Sequence, residues 1–305
     1  MPKNGELVNG LMGESEEERI PGNRHTSVPS IHDSPIHFPH LDIPPALSDD
    51  RLMLMAIDVG NTNIVGGVYE SSRLLETLRI QTVTKKTEDE YVTIFRAILA
   101  ERGIDPGSVD RVIVSSVVPA LTGAITAMVF RLFRIEPMVL GPALYSRLPV
   151  KVIAQDEIGT DLVADAVAAY GKVGGACIVV DFGTALTFTC VSGTGEIRGV
   201  SIAPGLGTAV GALSRDTAQL PNVPLAPPPS VLGQNTVQAI QAGVVYGYTG
   251  LVEYLIARMV RELGEETKIV ATGGLCRVVA QLTNVFDYVE RSEERRVGKE
   301  CRSRW

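Results

Sequence analysis

Two similar series of apolar segments follow one another along the chain. The first begins with "MAIDVG", "IVGGVY" and "LLETLRIQ", short apolar runs separated by turn residues, which predict three successive strands. The pattern of "EDEYVTIFRAILAERG" then predicts a helix with acidic residues in its first turn and a glycine at its end. A buried strand "RVIVSSVV", a helix from Pro119 to about Arg134 and a short strand "PMVLG" complete the series.

The second series opens in the same way, with "ACIVVDFG", "ALTFTCVS" and "GEIRGVSIAP" as three strands in a row. Two helices, "GTAVGALSRDTAQL" and "NTVQAIQAGVVYGYTGLVEYLIARMVRELG", precede a buried strand "KIVATGG" and a helix through "CRVVAQLT". The helix "DLVADAVAAYGKV" bridges the two halves. Three strands followed by alternating helices and strands, twice over, predict two packed α/β domains with a cleft between them.

Composition changes at both ends of this body. Residues 1–50 hold seven of the eighteen prolines and show no sustained periodicity, so residues 1–52 are predicted to be a disordered leader or to precede a true start at Met53 or Met55. The last fifteen residues, "RSEERRVGKECRSRW", carry six basic and three acidic side chains without an apolar stripe. Residues 291–305 are therefore predicted to be a charged tail, and we favour a non-native one. The two domains are predicted at 53–168 and 169–290.

Charge and residue usage exclude several classes of protein. A net charge of −7 and a pI near 5.3 argue against a nucleic-acid-binding protein. No apolar run reaches the roughly 18 residues of a membrane span, and the four cysteines lack CxxC spacing, so we expect a cytoplasmic protein with free thiols. All four histidines precede residue 50, which rules out a Ser-His-Asp triad in the body and disfavours a zinc site. Any general base there must be a carboxylate, Lys, Tyr or Cys.

Both halves place an Asp-x-Gly turn after their first strand. In "DVGNT", Gly60 allows a close backbone approach, while Asn61 and Thr62 add side-chain donors, which suits a phosphate group. Asp58 would hold Mg²⁺, mostly through water. The alternative is an ordinary hairpin turn. The second copy, "DFGTA" from Asp181, favours the phosphate interpretation, and a third glycine turn at "TGG" could face an adenosine or ribose.

These turns resemble those of the superfamily that unites acetate kinases, sugar kinases, heat-shock proteins and actin. More specifically, the chain resembles type III pantothenate kinases from about Met55 to Val289. The resemblance rests on the order and spacing of the motifs "DVGNTN", "SSVVP", "EIGTDLVADAVAAY", "DFGTALTF", "IAPGL", "TAQLP", "GQNTVQAIQAG" and "ATGG".

The resemblance implies a fold, an activity and a set of partners. The fold would be two duplicated ribonuclease-H-like α/β domains, as in actin-like ATPases, with a nucleotide cleft between them. The activity would be ATP-dependent phosphorylation of pantothenate to 4'-phosphopantothenate, the first step of coenzyme A biosynthesis. The enzyme would use Mg²⁺ and a monovalent cation, K⁺ or NH₄⁺, and would form a homodimer.

It also implies site residues. The ATP site would comprise Asp58, Val59, Gly60, Asn61, Thr62, Asn63, Ile64, Val65, Thr184, Gly273 and Gly274. The substrate site would comprise Gly159, Thr160, Asp161, Leu162 and Thr236. Asp161 would be the catalytic proton acceptor, Asp181 would ligate K⁺, and Asp58 would hold Mg²⁺.

The chemistry of phosphoryl transfer agrees with Asp161, because the loose transition state needs positioning and charge neutralisation more than a strong base. The alternative for Asp161 is a helix-capping or first-turn acid, and one residue can fill both roles. Asp165, one turn later, is expected to be structural.

Several positions depart from the family pattern. Leu162 replaces an arginine of the family's Gly-x-Asp-Arg loop, and an upstream tyrosine and Asn-Pro are replaced within 152–155. The final strand and helix of the family are also absent. These departures leave open a ligand-binding regulator that no longer turns over. A sugar or acetate kinase is disfavoured by the "GTDL" and "GQNT" segments.

Overall fold

The computed structural model describes residues 52–71, 73–216 and 223–290. Except for Leu52, the predicted leader lies outside this part of the chain, as does the predicted tail. The described residues form the following strands and helices in chain order: β1 (Met53–Val59), β2 (Asn63–Glu70), β3 (Arg73–Gln81), α1 (Glu88–Glu101), β4 (Arg111–Ser116), α2 (Pro119–Phe133), β5 (Met138–Val139), α3 (Pro142–Tyr145), α4 (Thr160–Val173), β6 (Cys177–Phe182), β7 (Ala185–Val191), β8 (Ile197–Pro204), α5 (Leu206–Asp216), α6 (Thr236–Gln241), α7 (Gly247–Leu263), β9 (Lys268–Thr272), α8 (Cys276–Ala280) and β10 (Tyr288–Val289).

The strands form two five-stranded sheets with the same topology. The first has the order β3-β2-β1-β4-β5 and the second β8-β7-β6-β9-β10. In each sheet the first three strands of the series pair antiparallel, and the remaining two add parallel to the first. The duplicated α/β architecture predicted from the sequence is therefore confirmed.

The central strands explain the continuous apolar runs. Strands β1 and β6 are buried along most of their length, because helices cover both faces of each sheet. Asp58 and Asp181 occupy the penultimate position of these two strands. Each carboxylate thus stands at the end of a central strand, where the adjacent loop begins.

Helix α4 packs between the two sheets. Its residues Val163 and Val167 belong to one buried cluster that includes Ala56 of the first sheet and Val179 of the second. Each fully buried side chain of this size contributes about 1.5–3 kcal/mol relative to an exposed one. Because α4 contributes to a core that both sheets share, the domain limits at 168 and 169 stay a prediction.

The long helix predicted over 235–264 is interrupted. A π-helical turn, Ala242–Tyr246, separates α6 from α7. Such turns occur where a side chain or a glycine-rich stretch disturbs the regular ladder, and Gly243 and Gly247 lie in or next to this one. The Tyr246 hydroxyl donates to the carbonyl of Pro228 at 2.8 Å, which holds the segment before α6 against this turn.

Two further expectations concern thiols and membranes. Cys177, Cys190 and Cys276 are free and buried, as predicted. Among the described helices, none has the length and apolar composition needed to cross a membrane.

Candidate nucleotide and substrate site

The first glycine turn closes tightly between β1 and β2. The backbone N–H of Gly60 donates to the carbonyl of Asn63 at 3.0 Å. A Cβ at residue 60 would lie 3.1 Å from that carbonyl oxygen, so the close return of the chain favours glycine. Asn61 and Thr62 at the tip are exposed, as a loop that binds a ligand through these residues requires.

The second glycine turn meets the first one directly. In the turn between β6 and β7, the N–H of Gly183 donates to the carbonyl of Ala185 at 3.1 Å. The hydroxyl oxygens of Thr62 and Thr184 lie 2.7 Å apart, within hydrogen-bond distance. The two halves of the chain therefore place their equivalent turns side by side.

The third glycine turn lies against the second. Strand β9 pairs parallel with β6, so that Thr272 is opposite Asp181. Gly273 follows in the left-handed region, with φ of 93°, and a Cβ there would collide with the Asp181 carboxylate and the backbone of Phe182. The close backbone approach thus requires glycine, and the "TGG" turn lies at the same end of the second sheet as the turn that follows β6.

Asp58 and Asp181 are the carboxylates next to these two turns. No group of three or more His, Cys, Asp or Glu side chains within the described ranges is arranged to hold a metal ion. Mg²⁺ in kinases is usually held by one or two carboxylates together with substrate phosphates and water, so Asp58 fits such an ion. A Cβ at Gly183 would lie 3.3 Å from an Asp181 carboxylate oxygen and 3.4 Å from the carbonyl oxygen of Ala185, so the second turn is lined by oxygen atoms, the ligand type that hard cations prefer.

Asp161 lies in the first turn of α4. Its Oδ1 accepts a hydrogen bond from the backbone N–H of Leu162 at 2.8 Å. A Cβ at Gly159 would collide with this carboxylate, so the small residue before the helix leaves room for it. The N-terminal turn of a helix stabilises a negative charge, which agrees with both the capping and the proton-acceptor interpretation.

Ser115 connects the start of α4 to the strand that pairs with β1. It is fully buried on β4 and stands opposite Asp58 in the parallel register with β1. Its hydroxyl oxygen lies 3.0 Å from that of Thr160, which also donates to the carbonyl of Ser116 at 3.3 Å. The structure therefore brings the segment of Asp161 to the strand end that carries Asp58.

Tyr145 is a neighbour of Asp161 that the sequence does not reveal. It ends the four-residue helix α3 and is buried in the core shared by both sheets. Burial, and secondarily the negative charge of Asp161, raise the pKa of its phenol. No motif marks this position, since α3 is too short to show a periodic pattern.

Leu162 and Thr236 differ from the other predicted substrate residues in burial and in position. The Leu162 side chain is only 7% exposed, so the residue in place of the family arginine is a buried aliphatic one. Thr236 is the exposed first residue of α6, after Asn235, whose side chain accepts from the N–H of Gln238 at 2.9 Å. No hydrogen bond described for these residues joins Thr236 to Asp161.

A separate surface cavity of about 620 Å³ lies between β8 and α7. Cys190 and Ser192 line it at the far end of β7 from Thr184. It contains none of the predicted site residues, and we do not assign it to the reaction.

Comparison with known proteins identifies the family. A sequence profile of type III pantothenate kinase matches residues 54–258. The chain belongs to the type III pantothenate kinase family. The type III pantothenate kinase of Myxococcus xanthus is 46% identical over 238 residues, which cover 78% of this chain and 93% of that protein. The Bacillus cytotoxicus family member is 40% identical over 238 residues, covering 78% and 91%.

The fold has a wider distribution than the family. A solved structure from Sinorhizobium meliloti, a candidate 2-dehydro-3-deoxygalactonokinase, has a TM-score of 0.52 at 15% identity. It covers 82% of this chain and 96% of that one. At this identity the similarity concerns the fold alone, which is the actin-like fold of sugar kinases.

Proposed function

We propose that this protein transfers the γ-phosphoryl group of ATP to the primary hydroxyl of pantothenate. Membership in the pantothenate kinase family supports the reaction. The observation that carries the assignment of residues is the Ser115–Thr160 contact at 3.0 Å, because it sets the segment of Asp161 beside the loop that begins at Asp58. The acceptor hydroxyl and the nucleotide phosphates then have adjacent binding segments.

In this proposal the residues divide the work of phosphoryl transfer. The backbone and side chains of 58–65, with Thr184, orient the phosphates, and Gly273 and Gly274 leave space for the nucleoside. Gly159, Thr160, Leu162 and Thr236 line the acceptor site. Asp161 accepts the proton of the attacking hydroxyl as the new O–P bond to the γ-phosphorus forms. The bond from that phosphorus to the β–γ bridging oxygen breaks in the same step, and ADP leaves. Positioning supplies most of the catalysis in such reactions.

We propose Asp58 for Mg²⁺ and Asp181 for a monovalent cation, K⁺ or NH₄⁺. When bound, these cations neutralise charge on the phosphate oxygens. The position of both carboxylates at the ends of central strands, next to the turns that Thr62 and Thr184 join, supports this assignment. Exchange of potassium for sodium should lower the turnover rate if Asp181 ligates the monovalent cation.

We also propose a homodimer in the cytoplasm, where free thiols such as the three buried ones persist. One face of α6 and α7 exposes small residues and a tyrosine that is 63% exposed. These residues are Ala239, Gly243, Gly247, Gly250, Tyr254 and Ala257. Small side chains let a second helix approach closely, so Gly250→Arg should convert the dimer to monomers in sedimentation analysis.

The experiment that tests the function measures ADP release from Mg-ATP with and without pantothenate, in potassium and in sodium buffer. We expect pantothenate-dependent release that Asp161→Asn lowers by about 10²–10⁴-fold, since a positioned general base contributes that much. Asp156→Asn, an exposed carboxylate five positions earlier, is the matched control. A folded protein that binds ATP and releases no ADP with pantothenate would instead be a ligand-binding regulator.

A further inference from the structure

A threonine outside the first glycine turn holds the carbonyl groups of that turn. Thr82 follows directly after β3, and its hydroxyl donates to the carbonyl of Gly60 at 2.6 Å. Its backbone N–H donates to the carbonyl of Thr62 at 2.9 Å. One residue thus contacts both ends of the tip of the turn, and no sequence motif singles it out.

A threonine that follows the third strand also holds a carbonyl of the second turn. Thr208, in the first turn of α5 shortly after β8, donates its hydroxyl proton to the carbonyl of Thr184 at 2.7 Å. The backbone N–H of Gly205 donates to the same carbonyl at 3.0 Å. Because β3 and β8 are the equivalent third strands of the two series, Thr82 and Thr208 come from corresponding parts of the duplicated fold.

A tyrosine hydroxyl donates to a backbone carbonyl near each of these two threonines in the chain. The hydroxyl of Tyr91 on α1 donates to the carbonyl of Val83 at 3.0 Å. The hydroxyl of Tyr248 on α7 donates to the carbonyl of Pro204 at 2.8 Å. Burial raises the pKa of both phenols, so each stays protonated and able to donate throughout the neutral range.

We propose that Thr82 and Thr208 are positioning residues for the two nucleotide turns. This inference rests on the proposed function, in which those turns bind the phosphates of ATP. A peptide group is planar, with its carbonyl and its N–H on opposite sides. A threonine that holds the carbonyl of Gly60 or Thr184 therefore fixes the next N–H, of Asn61 or Ala185, in the opposite direction.

The anchoring also keeps oxygen lone pairs away from the phosphates. An unsupported turn can flip a peptide plane and present a carbonyl oxygen, which repels a phosphate oxygen instead of donating to it. Since the Thr62 and Thr184 hydroxyls lie 2.7 Å apart, a displacement of either turn also affects the other one. The two supports are thus expected to act on one shared nucleotide site.

The test measures the dissociation constant of Mg-ATP by calorimetric titration, and the KM of pantothenate and kcat by ADP release. The variants are Thr82→Val, Thr208→Val, their combination, and the serine variants Thr82→Ser and Thr208→Ser. Each valine variant should weaken ATP binding about three- to tenfold, the effect of one net hydrogen bond, with little change in the KM of pantothenate. Each serine variant should bind ATP within about twofold of the wild type, because it keeps the hydroxyl.

Thr126→Val is the matched control. Its hydroxyl donates to the carbonyl of Thr122 at 2.7 Å within α2, so it removes a similar bond away from the turns. It should leave ATP binding unchanged. The double valine variant should lose less than the product of the two single effects, because both turns share one contact.

The outcomes separate the two proposals. Valine variants that melt like the wild type and bind ATP equally well would overturn the positioning role, as would serine variants that fail to restore binding. If one valine variant does not fold, the other valine variant, compared with its own serine variant, still decides. A wild-type protein that neither binds ATP nor phosphorylates pantothenate would contradict the proposed function itself.

Discussion

The hydroxyl oxygens of Thr62 and Thr184 lie 2.7 Å apart, although 122 positions separate the two residues in the chain. Each residue follows the glycine of an Asp-x-Gly turn, Thr62 after Gly60 and Thr184 after Gly183. The contact therefore joins the two turns that the sequence identifies as candidate phosphate loops. It also makes the relative position of the two sheets part of the candidate site.

The first prediction concerns this pair. Thr62→Val and Thr184→Val should each weaken ATP binding, and the double variant should show a coupling free energy of about 0.5–1.5 kcal/mol, the net value of one hydrogen bond. Titration with Mg-ATP of the four proteins in the cycle measures it. Strictly additive effects would mean that the two hydroxyls act independently in the ATP complex.

The Ser115 hydroxyl should contribute both to the stability of the protein and to its turnover rate. Ser115→Ala removes the hydroxyl next to Thr160 in a fully buried place, so we expect a loss of about 1 kcal/mol in the free energy of unfolding. The turnover rate should also fall, because the start of α4 carries Asp161. Urea denaturation and ADP release measure the two effects. Ser108 is the control, because its exposed hydroxyl donates to the carbonyl of Asp105 at 2.7 Å. Ser108→Ala should change neither the free energy of unfolding nor the turnover rate.

Two adjacent glycines should differ in their tolerance of the same substitution. Gly273→Ala should lower the free energy of unfolding by about 1–3 kcal/mol, because the residue has φ of 93° and its Cβ would collide with Asp181 and Phe182. Gly274→Ala should be tolerated, since its Cβ would point into open space. Thermal unfolding of the two variants measures this difference. Equal melting temperatures would contradict the close approach of β9's turn to β6.

The buried thiols predict how stability depends on pH. Burial raises the pKa of Cys177 to about 12 and that of Cys190 to about 11, from an ordinary value of 9.0. Below pH 9 the thiols are neutral in both states, and above it they ionise first in the unfolded chain. The free energy of unfolding should therefore fall as pH rises from about 9 toward 11, by about 1 kcal/mol for each thiol between pH 8.5 and 10.

Variants without these thiols provide the comparison. In Cys177→Ala and in Cys190→Ala, the urea midpoint should change less between pH 8.5 and pH 10 than it does in the wild type, because one ionising thiol is missing. This comparison within each variant is independent of any change that the substitution makes to stability at pH 8.5. If the double variant shows the same pH dependence as the wild type, other groups cause it.

The sequence by itself determined the elements and their duplication. Strands such as β1 and β6 are short apolar runs ended by glycine turns, and a helix such as α1 has a periodic apolar face, so local pattern specifies them. The Asp-x-Gly turns are local as well. The order of the motifs was enough to recognise the family.

Tertiary structure alone decided which of these residues meet. The Thr62–Thr184 contact, the approach of Gly273 to Asp181 and the burial of Tyr145 near Asp161 depend on how two sheets pack around α4, and no local pattern encodes such distances. The roles proposed for Thr82 and Thr208 could not be predicted from the sequence for the same reason. A threonine after a strand looks like any surface threonine until the fold places its hydroxyl 2.6 Å from the carbonyl of Gly60.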